Sequence, residues 1–439
     1  MRFTVDTVTI KSVLKALVPF ARMKSSAYFN QPLIGKLAID AQDDRVLFHA
    51  LTGNSSAEYA LIDKYHNVDN VETGFIAVEA SQLQEVINVV KADRITIEFD
   101  SNESIIVITD ADTGEKVVQL SANDADEASE SDVSGKPEFS DEDTEIVIDS
   151  EVFKDIADGI VPSSNKNPLW GDGVALIYED EQSVKFVAQE GGSAFVLART
   201  VNAEVRSEFD DIMIPVEFIK LLTTAMKEAG DGQLFVTHNF EDAEKTTRLT
   251  LKQGEDEVIV LDVVIPQSSG YISSGSTRKA LTTLRGMVDG NETTTVVLPL
   301  NSAVSEMEDA AKIGNIEPDY FATGEQNMEY INIAISAEDN AARISTAHTT
   351  NRYVGFVEAD GDSEVEGDSV DIRLSHAKLV DLIKARFLGN TRVLNLTVVK
   401  NFNPRRPDAA MVVVLPEGVT VEDDKFDDNI GYGVVAVNE

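Results

Sequence analysis

One pattern recurs along the whole chain and limits what it can become: a short alternating strand, an amphipathic helix of about a dozen residues, then two or three further strands. In the first copy a strand is expected at 2–6 and a helix over 8–18, where Ile10, Val13, Leu14, Leu17 and Val18 share one face at the helical period. Pro19 is expected to end or kink that helix. Strands follow near 33–40, 45–51 and 55–62. Further copies begin their helices near residues 79, 151, 216, 300 and 375. Steps of that size are too long for a solenoid and suit a duplicated half-domain. Two copies per domain make three similar domains of class α+β, with helices backing one face of antiparallel sheets.

Two joints interrupt the pattern. Residues 121–143 are acidic and serine-rich with no hydrophobic period, and 267–292 carry turn signals with a short helix expected near 278–287. They divide the chain into domains at 1–122, 144–267 and 293–418, followed by an extension at 419–439. The last half-repeat reads as one strand short, with NFNPRRPD filling the gap. The extension is open to three roles: covering a pocket, adding to a sheet, or remaining disordered.

Composition mostly excludes. No apolar run reaches the ~18–20 residues of a membrane span, and the N-terminus has no apolar signal core, so a soluble cytoplasmic protein is expected. There is no cysteine, which removes thiolate nucleophiles, disulfides and cysteine-held metals. The five histidines are scattered without metal-ligand spacing, and there is no phosphate-binding glycine loop or nucleophile elbow. No cofactor, metal or catalytic residue is expected, and the chain does not read as an enzyme.

The net charge of −40 argues against a nucleic-acid partner unless its distribution is uneven. Over the six expected helices (8–24, 79–91, 151–161, 215–228, 300–313 and 375–387) twelve basic residues stand against eleven acidic, leaving −41 for the rest of the chain. Helices lining a channel with that balance would hold phosphates loosely, without reading sequence, while an acidic exterior repels them. The candidate DNA-facing residues are Lys11, Lys15, Arg22, Lys24, Lys154, Lys220, Lys227, Lys378, Lys384 and Arg386. The helices at 8–24 and 375–387 are the most basic; that at 300–313 is the weakest candidate.

Five segments, in order, carry a family resemblance: MRFTVDTVTIKSVLKALVPFAR, NQPLIGKLAIDAQDDRVLFHALTGNSSAEYAL, TGFIAVEASQLQEVINVV, VKFVAQEGGSAFVLA and AAMVVVLPEG. Together they resemble the bacterial DNA polymerase III beta subunit, the sliding clamp, over most of residues 1–416. The resemblance implies the DNA-clamp fold and a head-to-tail homodimeric ring that encircles duplex DNA as a processivity factor. It implies a replicative DNA polymerase and a clamp loader as partners, in a bacterial cytoplasm or a phage-infected cell. It also implies a pocket for partner peptides between the second and third domains, drawing on Gly191, Ala194, Phe195, Pro266, Val413, Leu415 and Pro416, with Trp170 just before one of its strands. The dimer contact would pair Val118 and Leu120 with Ile313. The family's His-Arg pair is replaced by Gly192-Ser193 within the segment 190–195, which points to altered partner specificity. The competing reading of so acidic a chain is a phage structural protein or a DNA mimic, whose acids would be arrayed on one face.

Overall fold

The computed structural model describes residues 1–22, 35–52, 55–124, 143–160, 173–190, 195–209, 211–229, 232–239, 246–254, 258–266, 285–314, 330–346, 352–361, 363–376, 379, 392–400, 409–415, 418 and 429–437. The repeated units are present in sequence order. The first is β1 (Arg2–Asp6), α1 (Thr7–Ala21), β2 (Lys36–Gln42), β3 (Arg45–Thr52) and β4 (Ser55–Ile62); a single helical turn, α2 (Asp63–His66), and β5 (Asp69–Glu72) follow. The second is β6 (Gly74–Glu79), α3 (Ala80–Val89), β7 (Arg94–Asp100), β8 (Ile105–Asp110) and β9 (Lys116–Ser121), trailed by β10 (Asn123–Asp124). The third is β11 (Thr144–Asp149), α4 (Ser150–Ile160), β12 (Gly173–Asp180), β13 (Ser183–Glu190) and β14 (Phe195–Asn202), then β15 (Glu204–Val205). The fourth is β16 (Ile212–Pro215), α5 (Val216–Ala229), β17 (Gly232–Asn239), β18 (Thr246–Gln253) and β19 (Val258–Pro266). The fifth is β20 (Thr293–Pro299), α6 (Leu300–Gly314), β21 (Tyr330–Ser336), β22 (Ala341–Thr346) and β23 (Val354–Glu358). The sixth has β24 (Val370–Ser375), β25 (Val393–Val399), β26 (Ala409–Leu415) and β27 (Asn429–Val437); the helix expected at 375–387 lies almost wholly outside the described residues. Of the short helix expected near 278–287, the described part is helical at 285–289.

Each unit lends its first strand to the sheet of the unit it is paired with. β1 joins β7, while β6 joins β2; β11 joins β17, while β16 joins β12; β20 joins β25, while β24 joins β21. Every contact is antiparallel. The exchange locks units one and two, three and four, and five and six into three similar pairs, because neither member can leave without breaking a ladder of the other.

Neighbouring pairs then meet edge to edge. β4 pairs with β19, producing a ten-stranded sheet in the order β10-β6-β2-β3-β4-β19-β18-β17-β11-β15. β14 pairs with β27, producing an eight-stranded sheet in the order β16-β12-β13-β14-β27-β26-β25-β20. Two smaller sheets remain, β5-β1-β7-β8-β9 in the first pair and β23-β22-β21-β24 in the third.

β27 corrects the sequence expectation of a sixth unit one strand short. It supplies the missing strand from within 419–439, so that segment extends a sheet. AAMVVVLPEG holds the strand before it, β26. Pro19 is the second correction. It sits inside α1 on the exposed side, and the helix runs on to Ala21 with the Arg22 N–H bonded to the Val18 carbonyl at 3.1 Å. The missing proline N–H costs one bond to the Lys15 carbonyl, on a face open to water.

The helices have polar exposed stripes and buried apolar ones. In α1, Ile10, Val13, Leu14, Leu17 and Val18 are at most 1% exposed, whereas Val8, Lys15, Pro19 and Arg22 face outward. One hydrophobic core runs through all three pairs. It is cemented between the first and second pairs by Phe20 of α1 and Phe218 of α5, edge to face at 5.3 Å.

Candidate nucleic-acid interface

Four helices lie side by side over one face of the ten-stranded sheet. α3 packs over β2 and β6, α1 over β3 and β4, α5 over β18 and β19, and α4 over β11 and β17; α1 touches both α3 and α5, and α5 touches α4. Their apolar stripes face the sheet, so their polar stripes point away from it as one surface. α6 lies separately, against β21, β22 and β23.

The expected DNA-facing residues fall into three groups on this layer. Lys11, Lys15 and Arg22 form one stripe along α1; the Lys11 ammonium donates to the Val90 carbonyl at 3.2 Å, and Arg22 Nε donates to the Ser81 hydroxyl at 2.6 Å. Lys220 and Lys227 are exposed on α5, about two turns apart. Lys154 stands apart from both groups, ion-paired within α4 to Glu151 and only 20% exposed. Lys24, Lys378, Lys384 and Arg386 lie outside the described residues. On α6, the weakest candidate by sequence, Glu306 is occupied structurally: the Tyr353 hydroxyl donates to it at 2.6 Å, which pushes the phenol up to about 12. A Cβ on Gly355 would collide with that carboxylate, so any other residue there must displace the Glu306 side chain from its place beside Tyr353.

The residues expected at the partner pocket are placed only in part. Phe195 opens β14, and Pro266 closes β19 in the other large sheet, opposite Thr246. Val413 and Leu415 lie on β26, one strand removed from β14 by β27, and are 0% and 1% exposed. Trp170, Gly191, Ala194 and Pro416 are outside the described residues. The strand of the third pair that meets β14 is β27, through Val196–Tyr432, Leu197–Gly431, Ala198–Ile430 and Arg199–Asn429. The sequence signal that could have found it is the alternation of Ile430, Tyr432 and Val434.

The expected dimer contact maps to the small sheets. Val118 and Leu120 are on β9, at the outer edge of the five-stranded sheet, and Ile313 is near the end of α6. β23 is an outer edge of the four-stranded sheet. Both edges carry exposed apolar groups: Val117 at 40%, Val354 at 51% and Phe356 at 69%. Among the described residues no group of His, Cys, Asp and Glu could hold a metal ion, and no helix is long and apolar enough to cross a membrane.

No family model matches the chain, and no curated protein matches it. Solved structures do. The chain is similar to the DNA polymerase III beta subunit of Thermotoga maritima, with a TM-score of 0.72 at 13% identity over 100% of this chain and 99% of that one. It is similar to the DNA polymerase sliding clamp of Bacillus subtilis, with a TM-score of 0.70 at 15% identity over the same shares. It is also similar to the sliding clamp of Bartonella birtlesii, solved bound to griselimycin, with a TM-score of 0.70 at 13% identity over the whole of both chains. At such identities the likeness is one of architecture, and across its full length this chain has the fold of the DNA polymerase III beta subunit, the sliding clamp.

Proposed function

We propose that this chain is a DNA sliding clamp: two copies, head to tail, form a ring around duplex DNA and tether a replicative polymerase to it without doing chemistry on a substrate. The observation that carries this is the mismatch among the four sheets. Two are extended across neighbouring pairs by edge-to-edge seams, β4 with β19 and β14 with β27, whereas the sheets ending in β9 and β23 join no strand of another pair. Open edges with exposed Val117, Val354 and Phe356 invite pairing. If β9 of one copy meets β23 of the next, both half-sheets are completed, and a two-fold axis closes the ring. Ile313, Val118 and Leu120 then flank that junction.

The proposed domains are 1–122, 144–267 and a third that starts at 293 and takes in β27. The clamp loader and polymerase peptides would dock near the seam between the second and third domains, where β14, β27 and β26 adjoin, and the ring would work in a bacterial cytoplasm or a phage-infected cell. A DNA mimic is disfavoured by the alternative's own requirement, since α1 carries only positive charge.

Solution mass and topological retention test the reading together. The expected species is a dimer of twice the 47.8 kDa chain. Once loaded on a nicked circle it should remain through a gel-filtration column and be lost when the circle is cut. A stable monomer that runs through with linear and circular DNA alike would sink the proposal.

A further inference from the structure

The two small sheets differ in what they carry on the face turned away from the helices. In the four-stranded sheet Ile333, Ile344 and Val357 are at most 3% exposed and face α6, so the alternate residues of each strand face outward. Those include Tyr330 on β21, Arg343 on β22, Phe356 on β23 and Arg373 on β24, with the exposed Arg352 just ahead of β23. Phe356 stands directly opposite Arg343 and is 69% exposed. Arg373 lies 5.1 Å over the Tyr330 ring. The face therefore pairs an aromatic ring with an arginine twice, roughly 16 Å apart on the diagonal.

These cations are not neutralised as those of the other small sheet are. On the five-stranded sheet Arg2 lies 3.8 Å from Glu72, and Arg94 lies 3.1 Å from Asp6 and 2.8 Å from Asp69. Arg343 and Arg352 make no ion pair among the described residues. Counted against Asp371 and Glu358, the three arginines bring the outer face of the four-stranded sheet to +1 on a chain of −40. A cleft of about 420 Å³ opens over Ala334, between Arg343 and Phe356 on one side and Asp371 on the other.

Exposed rings beside uncancelled arginines match the chemistry of a single nucleic-acid strand, whose bases stack on aromatic rings or guanidinium planes while its phosphates take cations. A duplex keeps its base faces stacked on one another and has no use for Phe356. The rows from Tyr330 to Phe356 cover roughly 14 by 13 Å, far below the ~800 Å² a side of a stable protein interface. The patch is sized for a thin strand, not for a folded protein.

We propose that the outer face of the four-stranded sheet is a docking platform for single-stranded DNA, with Phe356 and the Arg373 guanidinium stacking bases and Arg343 and Arg352 holding phosphates. The choice of DNA over RNA rests on the clamp reading, because unpaired template lies beside the duplex that a ring would encircle. Pairing of β23 with another copy uses the backbone of its edge and leaves Phe356 facing outward.

The test is binding of the full-length protein to fluorescent oligothymidylate of about 20 nucleotides, with oligouridylate and polyglutamate as competitors. Phe356→Leu keeps an apolar side chain and removes the ring; it should weaken binding about tenfold, the loss of one stacked base, whereas Phe356→Trp should not. Arg343→Gln should make the slope of log K against log salt shallower by about 0.7, one single-strand phosphate contact. Arg45→Gln, at an exposed arginine of the ten-stranded sheet, should bind as wild type does. If Phe356→Leu and Arg343→Gln bind like wild type while dimer mass and retention on circles persist, the platform is wrong and the ring stands. Displacement by polyglutamate as readily as by oligothymidylate would show that charge alone is read, and would also end it. A preference for oligouridylate would overturn the assignment to DNA. If the protein does not stay on circles yet binds oligothymidylate through Phe356 and Arg343, the ring reading falls and the single-strand site remains.

Discussion

The two seams that join the thirds of this chain use the same geometry, antiparallel edge-to-edge pairing, and different chemistry. Across β4–β19, Glu58 stands directly opposite Asp262, a like-charge pair that would repel on its own. It is held by its flanks. Arg248 donates two bonds to Asp262, at 2.7 and 2.9 Å, Thr250 donates a third at 3.2 Å, and His49 Nδ1 lies 3.2 Å from Glu58. Asp262 is 2% exposed, and its bonded partners remove most of the cost of burying a charge there. The β14–β27 seam instead pairs Val196, Leu197 and Ala198 with Tyr432, Gly431 and Ile430, mostly apolar or glycine positions. A polar row specifies one register sharply, because a slip of one residue strands its charges. The apolar seam relies on the arrival of a single strand from far along the chain.

Removing that strand should have the largest effect. A chain ending at 428 leaves both β14 and β26 with an open edge and uncovers a row of buried residues on β26. The expected loss is on the order of 5 kcal/mol or more, comparable with the whole stability of a domain. Limited proteolysis should then cut between the second and third pairs while leaving the first seam intact; equal resistance in full-length and shortened chains would show that β27 does not join them. Arg248→Met comes next. It leaves Asp262 buried without its cation, expected to cost about 3 kcal/mol, near the low end for a broken buried pair because Arg248 is 31% exposed. The double variant Arg248→Met, Asp262→Leu should recover most of the loss in a urea melt. Additive losses would mean that the polar row is not acting as a unit.

The periodic features were legible from the residues. The α1 stripe, the alternation in each strand and the order of elements follow from local spacing, and the structure displaces most boundaries by only a few residues. The exchange of first strands was not legible, since β1 and β6 choose partners by tertiary pairing that local pattern does not encode. β27 was missed for a local reason: Gly431 and Gly433 break up its apolar side chains, and the acidic DDKFDD run before it reads as solvated chain. At the candidate interface, the pairing of Lys154 with Glu151 is visible as a one-turn spacing. The neutral acceptors of Lys11 and Arg22 are not, because Ser81 lies on another helix and Val90 just past its end, 59 and 79 residues away. Summing charge over helices therefore found an excess of cations but could not say which of them remain uncancelled.

The smallest predicted effect concerns acid and again separates the seams. His66 lies edge to face with Tyr59, the residue paired with Leu261 at the first seam, and its Nδ1 accepts the Ile62 N–H at 3.1 Å. Burial pushes His66 below its usual 6.5. An Nδ1 that accepts a hydrogen bond must be unprotonated, so the folded state favours the neutral ring. Above about pH 6.5 the ring is neutral in both the folded and unfolded chain, and its titration does not affect stability. As pH falls through that value the unfolded chain takes up the proton first, and the folded state loses stability by about 1.4 kcal/mol for each unit by which burial has lowered the group. His66→Gln removes the titration along with some packing. Its urea midpoint should lie below wild type at pH 7.5, and the gap should narrow at pH 5.5. A gap that stays constant between those values would detach His66, and the first seam with it, from any acid response.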